Sequence, residues 1–236
     1  MRRLLVVLAA ASLIGASLLA PSAASAQKPH VFAPSAHPFG ASHGEWQARW
    51  FKWFMEIPAP INPLFDETGA LCATNQSGPV WFTAPVAHPG TTTRACTIPA
   101  GKAIFVLGIG NECSNIEPPP FFGATEAELR ACAAAGFEEF FGDASISITV
   151  DGIEVPELDR YRTQTPLFSY TLPEDNLFGL PAGTTATMAI SDGNAVIIKP
   201  LPPGSHQIVT HIEAPILGGT IDVIYNLTIV AGAPGD

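Results

Sequence analysis

Residues 42–57, SHGEWQARWFKWFMEI, set the terms on which this chain can fold. The segment holds three of the four tryptophans. Trp46, Trp50, Trp53 and Ile57 recur at the spacing of one helical face. Phe54 widens that face, and Phe51 and Met55 make its flanks apolar. Ser42 with Glu45 three residues on predicts a capping box: the hydroxyl accepts a free N–H at the helix start, and the carboxylate accepts the cap residue's own N–H. Pro58 and Pro60 stop the run, because proline lacks an N–H and turns its predecessor away from helix. Glu45 and Arg49 are spaced for an ion pair on the polar side. A helix this apolar has to be covered by the rest of the chain, and each large ring gains about 1.5–3 kcal/mol on burial. The alternative use of Trp46, Trp50 and Trp53, together with Trp81, is a stacking platform for sugar rings or another flat ligand.

Beyond the helix the chain reads as short strands and turns. With 21 glycines and 23 prolines and only 14% charged residues, the composition favours an apolar, turn-rich β body. Residues 60–69 read as a loop. Residues 76–82, 92–99 and 102–109 read as strands; 104–107 are apolar without alternation, as in a strand buried on both faces. A second helix is predicted at 126–141, again with a capping box, Thr125 and Glu128. Further strands are predicted at 145–150, 166–172, 184–190, 194–199, 205–213 and 219–230. Asp151-Gly152 and Asp192-Gly193 each lie between strand-like runs and read as type I′ hairpin turns. The expected fold is mainly β: an antiparallel sandwich or jelly roll with two helices.

Met1–Ala26 has the form of an export signal. Arg2 and Arg3 precede an apolar run, and Ala24-Ser25-Ala26 gives a small-residue cleavage site. The expected organisation is a signal at 1–26, an extended leader at 27–41, and a single sandwich domain with two helices at 42–236. No later stretch has the ~20 apolar residues of a membrane span, so a product released outside the cytoplasm, in the periplasm or beyond, is expected. Loss of the signal removes two of the 11 basic groups and leaves 9 against 21 acidic ones, net −12. That balance argues against nucleic acid or an anionic membrane surface as partner.

Cys72, Cys96, Cys113 and Cys132 are even in number and lie after the signal. In an exported chain this predicts two disulfides. Three connectivities are open; the favoured one is Cys72–Cys96 with Cys113–Cys132, each closing a local loop. The spacings of 24, 17 and 19 contain no zinc knuckle. His30, His37 and His43 form a loose tract interrupted by prolines, which fixes no metal geometry. No metal site and no cofactor are expected.

The candidates for chemistry are few. Glu112 follows an apolar strand and precedes a half-cystine; a carboxyl there can have a raised pKa and act as acid or base. The plainer role is a hydrogen-bonded or exposed loop acid. Glu45 already has work in the capping box, and Asp192 in its turn. His206 opens a strand on which it shares a face with Ile208, Thr210 and Ile212, opposite His211 and Glu213. No G-x-S-x-G elbow is present, and Gly108-Ile109-Gly110 lacks the third glycine of a dinucleotide loop.

The pattern GEW-x₃-W-x₂-W, QSGPVWF, R-x-C-x-x-P-x-GK at residues 94–102, NEC, SDG and KPLPPGSH at residues 199–206 resembles a family of exported bacterial proteins of unassigned function. The resemblance covers nearly all of the chain after the signal and implies one compact domain, without an activity. The closing PPGSHQIV…IDVIYNLTIV resembles the last hairpin of bacterial immunoglobulin-like domains, a likeness of fold alone. The leading functional expectation is an exported, non-catalytic protein whose partner is a carbohydrate or an envelope component. The competing one is a carbohydrate-active hydrolase with Glu112 and a second carboxylate, Glu45 or Asp66, in a tryptophan-lined cleft.

Overall fold

A computed structural model describes residues 30–231; the export signal read at 1–26 lies outside them. Two five-stranded sheets face each other. The first has the order β1 (Val80–Phe82), β3 (Ala103–Ser114), β8 (Thr185–Ile198), β6 (Arg162–Gln164), with β7 (Phe168–Thr171) also on β8. The second runs β2 (Gly90–Pro99), β10 (Gly219–Val230), β9 (Gly204–Ala214), β4 (Ser145–Val150), β5 (Ile153–Glu154). The sandwich with two α-helices is the fold class expected. It is not wholly antiparallel, however: β1 pairs parallel with β3, and β2 parallel with β10. Each parallel pair joins segments without a tight hairpin between them, which is why the spacing of turns could not reveal it.

Helix α1 (His43–Met55) starts at Ser42 with both halves of the capping box formed. It does not enter the sandwich. It lies on the outer face of the first sheet, where its tryptophans and phenylalanines meet Val80, Phe105, Tyr170, Ala189 and Ile197. The opposite face of that sheet, with Trp81, Ile104, Val106, Val196 and Ile198, packs on Ile98, Ile148, Ile208 and Leu227 of the second sheet. The body is therefore three layers deep, and β3 and β8 are covered on both sides, as the unbroken apolar run of β3 predicts.

Helix α2 (Glu126–Phe141) has the expected bounds and the expected cap on Thr125. Its Leu129 and Ala133 pack on Cys113 and Ile190, on the inner side of the first sheet beyond the reach of the second. Gly136 is needed there: a Cβ would sit 2.3 Å from the Asn111 amide nitrogen. Both favoured disulfides are formed, Cys72–Cys96 and Cys113–Cys132. The second ties α2 to β3.

Three expectations need correction. The described part of the segment before α1, from residue 30, is not a free extended leader: it turns at 33–36 and again at Pro38–Gly40, and it is docked, the Phe32 and Lys199 N–H groups bonding the carbonyls of Ile197 and His30 at the end of β8. Asp151-Gly152 does make the two-residue turn between β4 and β5, both residues having positive φ. Asp192-Gly193 makes no turn; it lies inside β8, paired with Asn111 and Gly110. Gly193 is there for close approach, since a Cβ would fall 2.6 Å from the Ile109 carbonyl oxygen. Third, β3 does not end at Ile109 but runs on to Ser114.

Candidate functional site

The continuation of β3 decides where Glu112 points. Ile104 and Val106 face the second sheet and Phe105 faces α1. The register against β8 then slips between Leu107 and Ile109, a β-bulge that inserts Gly108. After the extra residue the alternation is inverted: Ile109 and Cys113 point inward, and Glu112 and Ser114 point to the α1 side. Glu112 is 8% exposed and is not a loop acid.

There it meets a second carboxyl that sequence reading missed. Glu117 comes from the loop between β3 and α2, and the two carboxyl groups hydrogen-bond each other. The Ser114 hydroxyl donates to Glu117 at 2.9 Å. The Tyr170 hydroxyl stands 3.4 Å from Glu112 and 3.3 Å from the Ser114 oxygen, and its one proton serves either. Burial, and after it the charge of Glu117, raises the Glu112 carboxyl well above the ordinary carboxylate range. Burial also raises Glu117, against hydrogen bonds from Glu112 and Ser114 that favour its ionised form. Tyr170 is pushed up by burial and then by the Glu112 charge. The arrangement is a carboxylic acid donating to a carboxylate, one proton held between two glutamates. Ser114 and Tyr170 are, like Glu112, buried, while Glu117 is partly exposed, so the pair has its one open side at the loop that carries Glu117.

The other candidates have structural posts. Glu45 is exposed and accepts from the Ser42 backbone and hydroxyl, the bonds that lower its pKa. Burial works to raise Asp66, but hydrogen bonds from Leu71, Thr68 and Gly69 outweigh it and hold it below its usual value. Asp192, expected in a turn, binds Arg162 through Nε at 2.9 Å. His206 bridges Asp151, at 2.7 Å, and the Pro202 carbonyl, which locks the β4–β5 turn to the strand beside it. His211 lies between Asp222 and Glu213. Among the described residues no group of three or more His, Cys, Asp or Glu side chains is placed to hold a metal ion.

The tryptophans are not a platform. Trp46, Trp50, Trp53 and Trp81 are 4%, 1%, 8% and 7% exposed. The indole N–H groups of Trp46, Trp50 and Trp53 donate to the carbonyls of Pro38, Thr83 and Thr74, at 2.9, 2.7 and 3.0 Å. The edges of Trp46 and Trp53 nevertheless floor an open groove of about 400 Å³ along the outer side of α1. Arg49 stands over the Trp46 ring at 4.3 Å. This replaces the expected Glu45–Arg49 ion pair, since the capping box has taken the Glu45 carboxylate. Lys52 and Glu56 pair at 2.7 Å on the same side. The far wall is the 72–79 loop, which presents Asn75 and Ser77. Gln76 holds that loop rigid through the carbonyls of Cys72 and Phe82 and the Phe82 N–H. Asn75 sits at φ 49°, a left-handed conformation that asparagine tolerates.

No protein-family model matches the chain, and no curated protein matches it. Two solved chains do. One comes from the structure of PbICP-C in complex with falcipain-2; it is 13% identical over 65% of this chain and 100% of that one, with a TM-score of 0.26. A likeness at that level carries no argument about what this chain does.

Proposed function

We propose that the chain is an exported, non-catalytic binding protein of the envelope or extracellular space, and that it takes a carbohydrate in the groove beside α1. The observation that carries this reading is the groove's make-up. The edges of Trp46 and Trp53 form its floor, the Arg49 guanidinium covers the face of the Trp46 ring, and a rigid loop offers an amide and a hydroxyl. Binding sites combine apolar walls with a few fixed polar groups in this way, and a sugar ring offers the matching mix of C–H face and hydroxyl edge. The carboxylate within the groove, Glu56, is engaged by Lys52 and by the Thr171 N–H at 3.0 Å, which suits binding rather than turnover. A glycan array with the disulfide-intact chain, repeated with Arg49→Ala and Asn75→Ala, tests it. Selective binding weakened about tenfold by either substitution supports the site; a blank array, or binding indifferent to both, ends the proposal.

A second reading rests on the Glu112–Glu117 pair. A carboxyl that keeps its proton beside one that does not is what general-acid hydrolysis of a glycoside requires. It replaces the expected pairing of Glu112 with Glu45 or Asp66, whose carboxylates are occupied. Turnover of a polysaccharide abolished by Glu112→Gln would favour it; equal turnover by the variant and the parent would exclude it.

A further inference from the structure

Strand β1 is three residues long and its pairing stops at Phe82–Phe105, whereas β3 continues to Ser114. Past that point the edge of the first sheet has no β1 beside it. The chain instead crosses as the irregular segment 83–86, and a pocket of about 170 Å³ lies between the sheets behind it. Val106 and Ile109 of β3 line one wall, Ile212 of β9 and Ile221 and Val223 of β10 the other. Its exit runs past Pro85, Leu107, Gly110 and Phe141, which are partly exposed.

Interiors normally close over such a space, because unfilled volume forfeits contacts on every side. Here the crossing segment is clamped. Arg94, 0% exposed on β2, donates through one terminal nitrogen to the Ala84 carbonyl at 2.7 Å and through the other to the Pro85 carbonyl at 3.1 Å. Its Nε donates to the Asp66 carbonyl at 2.6 Å. The Tyr225 hydroxyl accepts from Arg94 at 2.6 Å and from the Ala84 N–H at 3.0 Å, and stands 2.8 Å from the Ala84 carbonyl. A guanidinium taken out of water without a carboxylate partner is an expensive way to fix a loop. Its effect is to hold residues 84 and 85 at the rim, so that the wall cannot fall inward.

We propose that this pocket is a binding site for the end of an alkyl chain, with the head group of the amphiphile left in water at the Pro85–Phe141 rim. The site is separate from the groove beside α1 and does not depend on what that groove binds. A dry cavity of about 150 Å³ lined by aliphatic and aromatic side chains takes benzene, so the space here suits about six carbons. A neutral chain suits it best, since no charged side chain lines the pocket.

The test is a series of n-alkanols from butanol to decanol, with benzene beside them, titrated into the disulfide-intact chain while the methyl resonances of Ile212, Ile221 and Val223 are followed. Each added methylene should tighten binding about fourfold until about six carbons are housed, and the gain should then level off. Ile221→Phe, which fills the pocket, should weaken hexanol at least tenfold; Thr210→Leu, on the neighbouring strand, is a second filling variant should the first not fold. Overturning results are affinity that climbs unbroken to decanol, methyl shifts spread away from these three residues, benzene binding without alkanol binding, or hexanol affinity unchanged in a folded filling variant.

Discussion

The Glu112–Glu117 pair predicts how stability responds to pH. In the unfolded chain both carboxyls titrate near the ordinary glutamate value of 4.5. In the folded chain burial holds one proton on the pair well above that range. Between the two the native state binds more protons than the unfolded state, so stability is full below the ordinary value and declines as pH rises toward the raised folded value. One retained proton sets a slope of about 1.4 kcal/mol per pH unit. Glu112→Gln keeps the shape and a donor toward Glu117 but carries no titrating proton. It should flatten the slope and gain on the parent by about 1.4 kcal/mol for each pH unit crossed within the window. Glu117→Gln removes a neighbouring charge but leaves Glu112 buried, so it should narrow the pH window without abolishing the slope, and the double variant should behave as Glu112→Gln does. Urea unfolding with both disulfides intact, carried from about pH 5 upward, reads the difference as it develops above the ordinary carboxylate range. Parallel stability curves for parent and Glu112→Gln would show that no proton is retained, and the account of the pair would be wrong.

Three further outcomes come from the packing. Trp50→Ala removes a buried indole and its bond to Thr83, and should cost about 3–5 kcal/mol in urea unfolding; a loss below about 1 kcal/mol would mean that the helix is not anchored through this ring. Ser42→Ala breaks the capping box and should cost about 1 kcal/mol, read from the same midpoints, with an unchanged value counting against the cap. Replacing Cys72 and Cys96 together with alanine opens a loop with a sequence separation of 24 and should lower stability by about 3 kcal/mol; replacing Cys113 and Cys132, separated by 19, should cost nearly as much, and an unchanged midpoint for either pair would refute the loop-closure account.

Local chemistry was readable before the structure; long-range placement was not. Both capping boxes, the bounds of α2 and the two disulfides rest on interactions a few residues long or on simple loop closure. The pair Asp151-Gly152 and Asp192-Gly193 marks the boundary. The same dipeptide is a turn in one place and mid-strand in the other, because Gly110 and Ile109 on a distant strand leave no room for a Cβ at Gly193. Glu112 was singled out as a candidate acid, but the plainer reading placed it in a loop, and the carboxyl beside it was missed. Glu117 lies in a loop with no periodic signal, and the bulge at Gly108 that turns Glu112 toward it changes alternation without changing composition. The tryptophan stripe foretold burial. That the same helix would present Arg49 toward Asn75 depended on how the 72–79 loop folds back, which no local pattern encodes.

The position of β10 between β2 and β9 has a consequence for how the molecule comes into being. Arg94 and Tyr225, neighbours in the finished sheet, are 131 positions apart in the chain. A polypeptide emerging from its amino end would carry β2 as an unmated strand until β10 had emerged, and closing so large a loop is slow. Assembly of the second sheet therefore waits until β10 has been made.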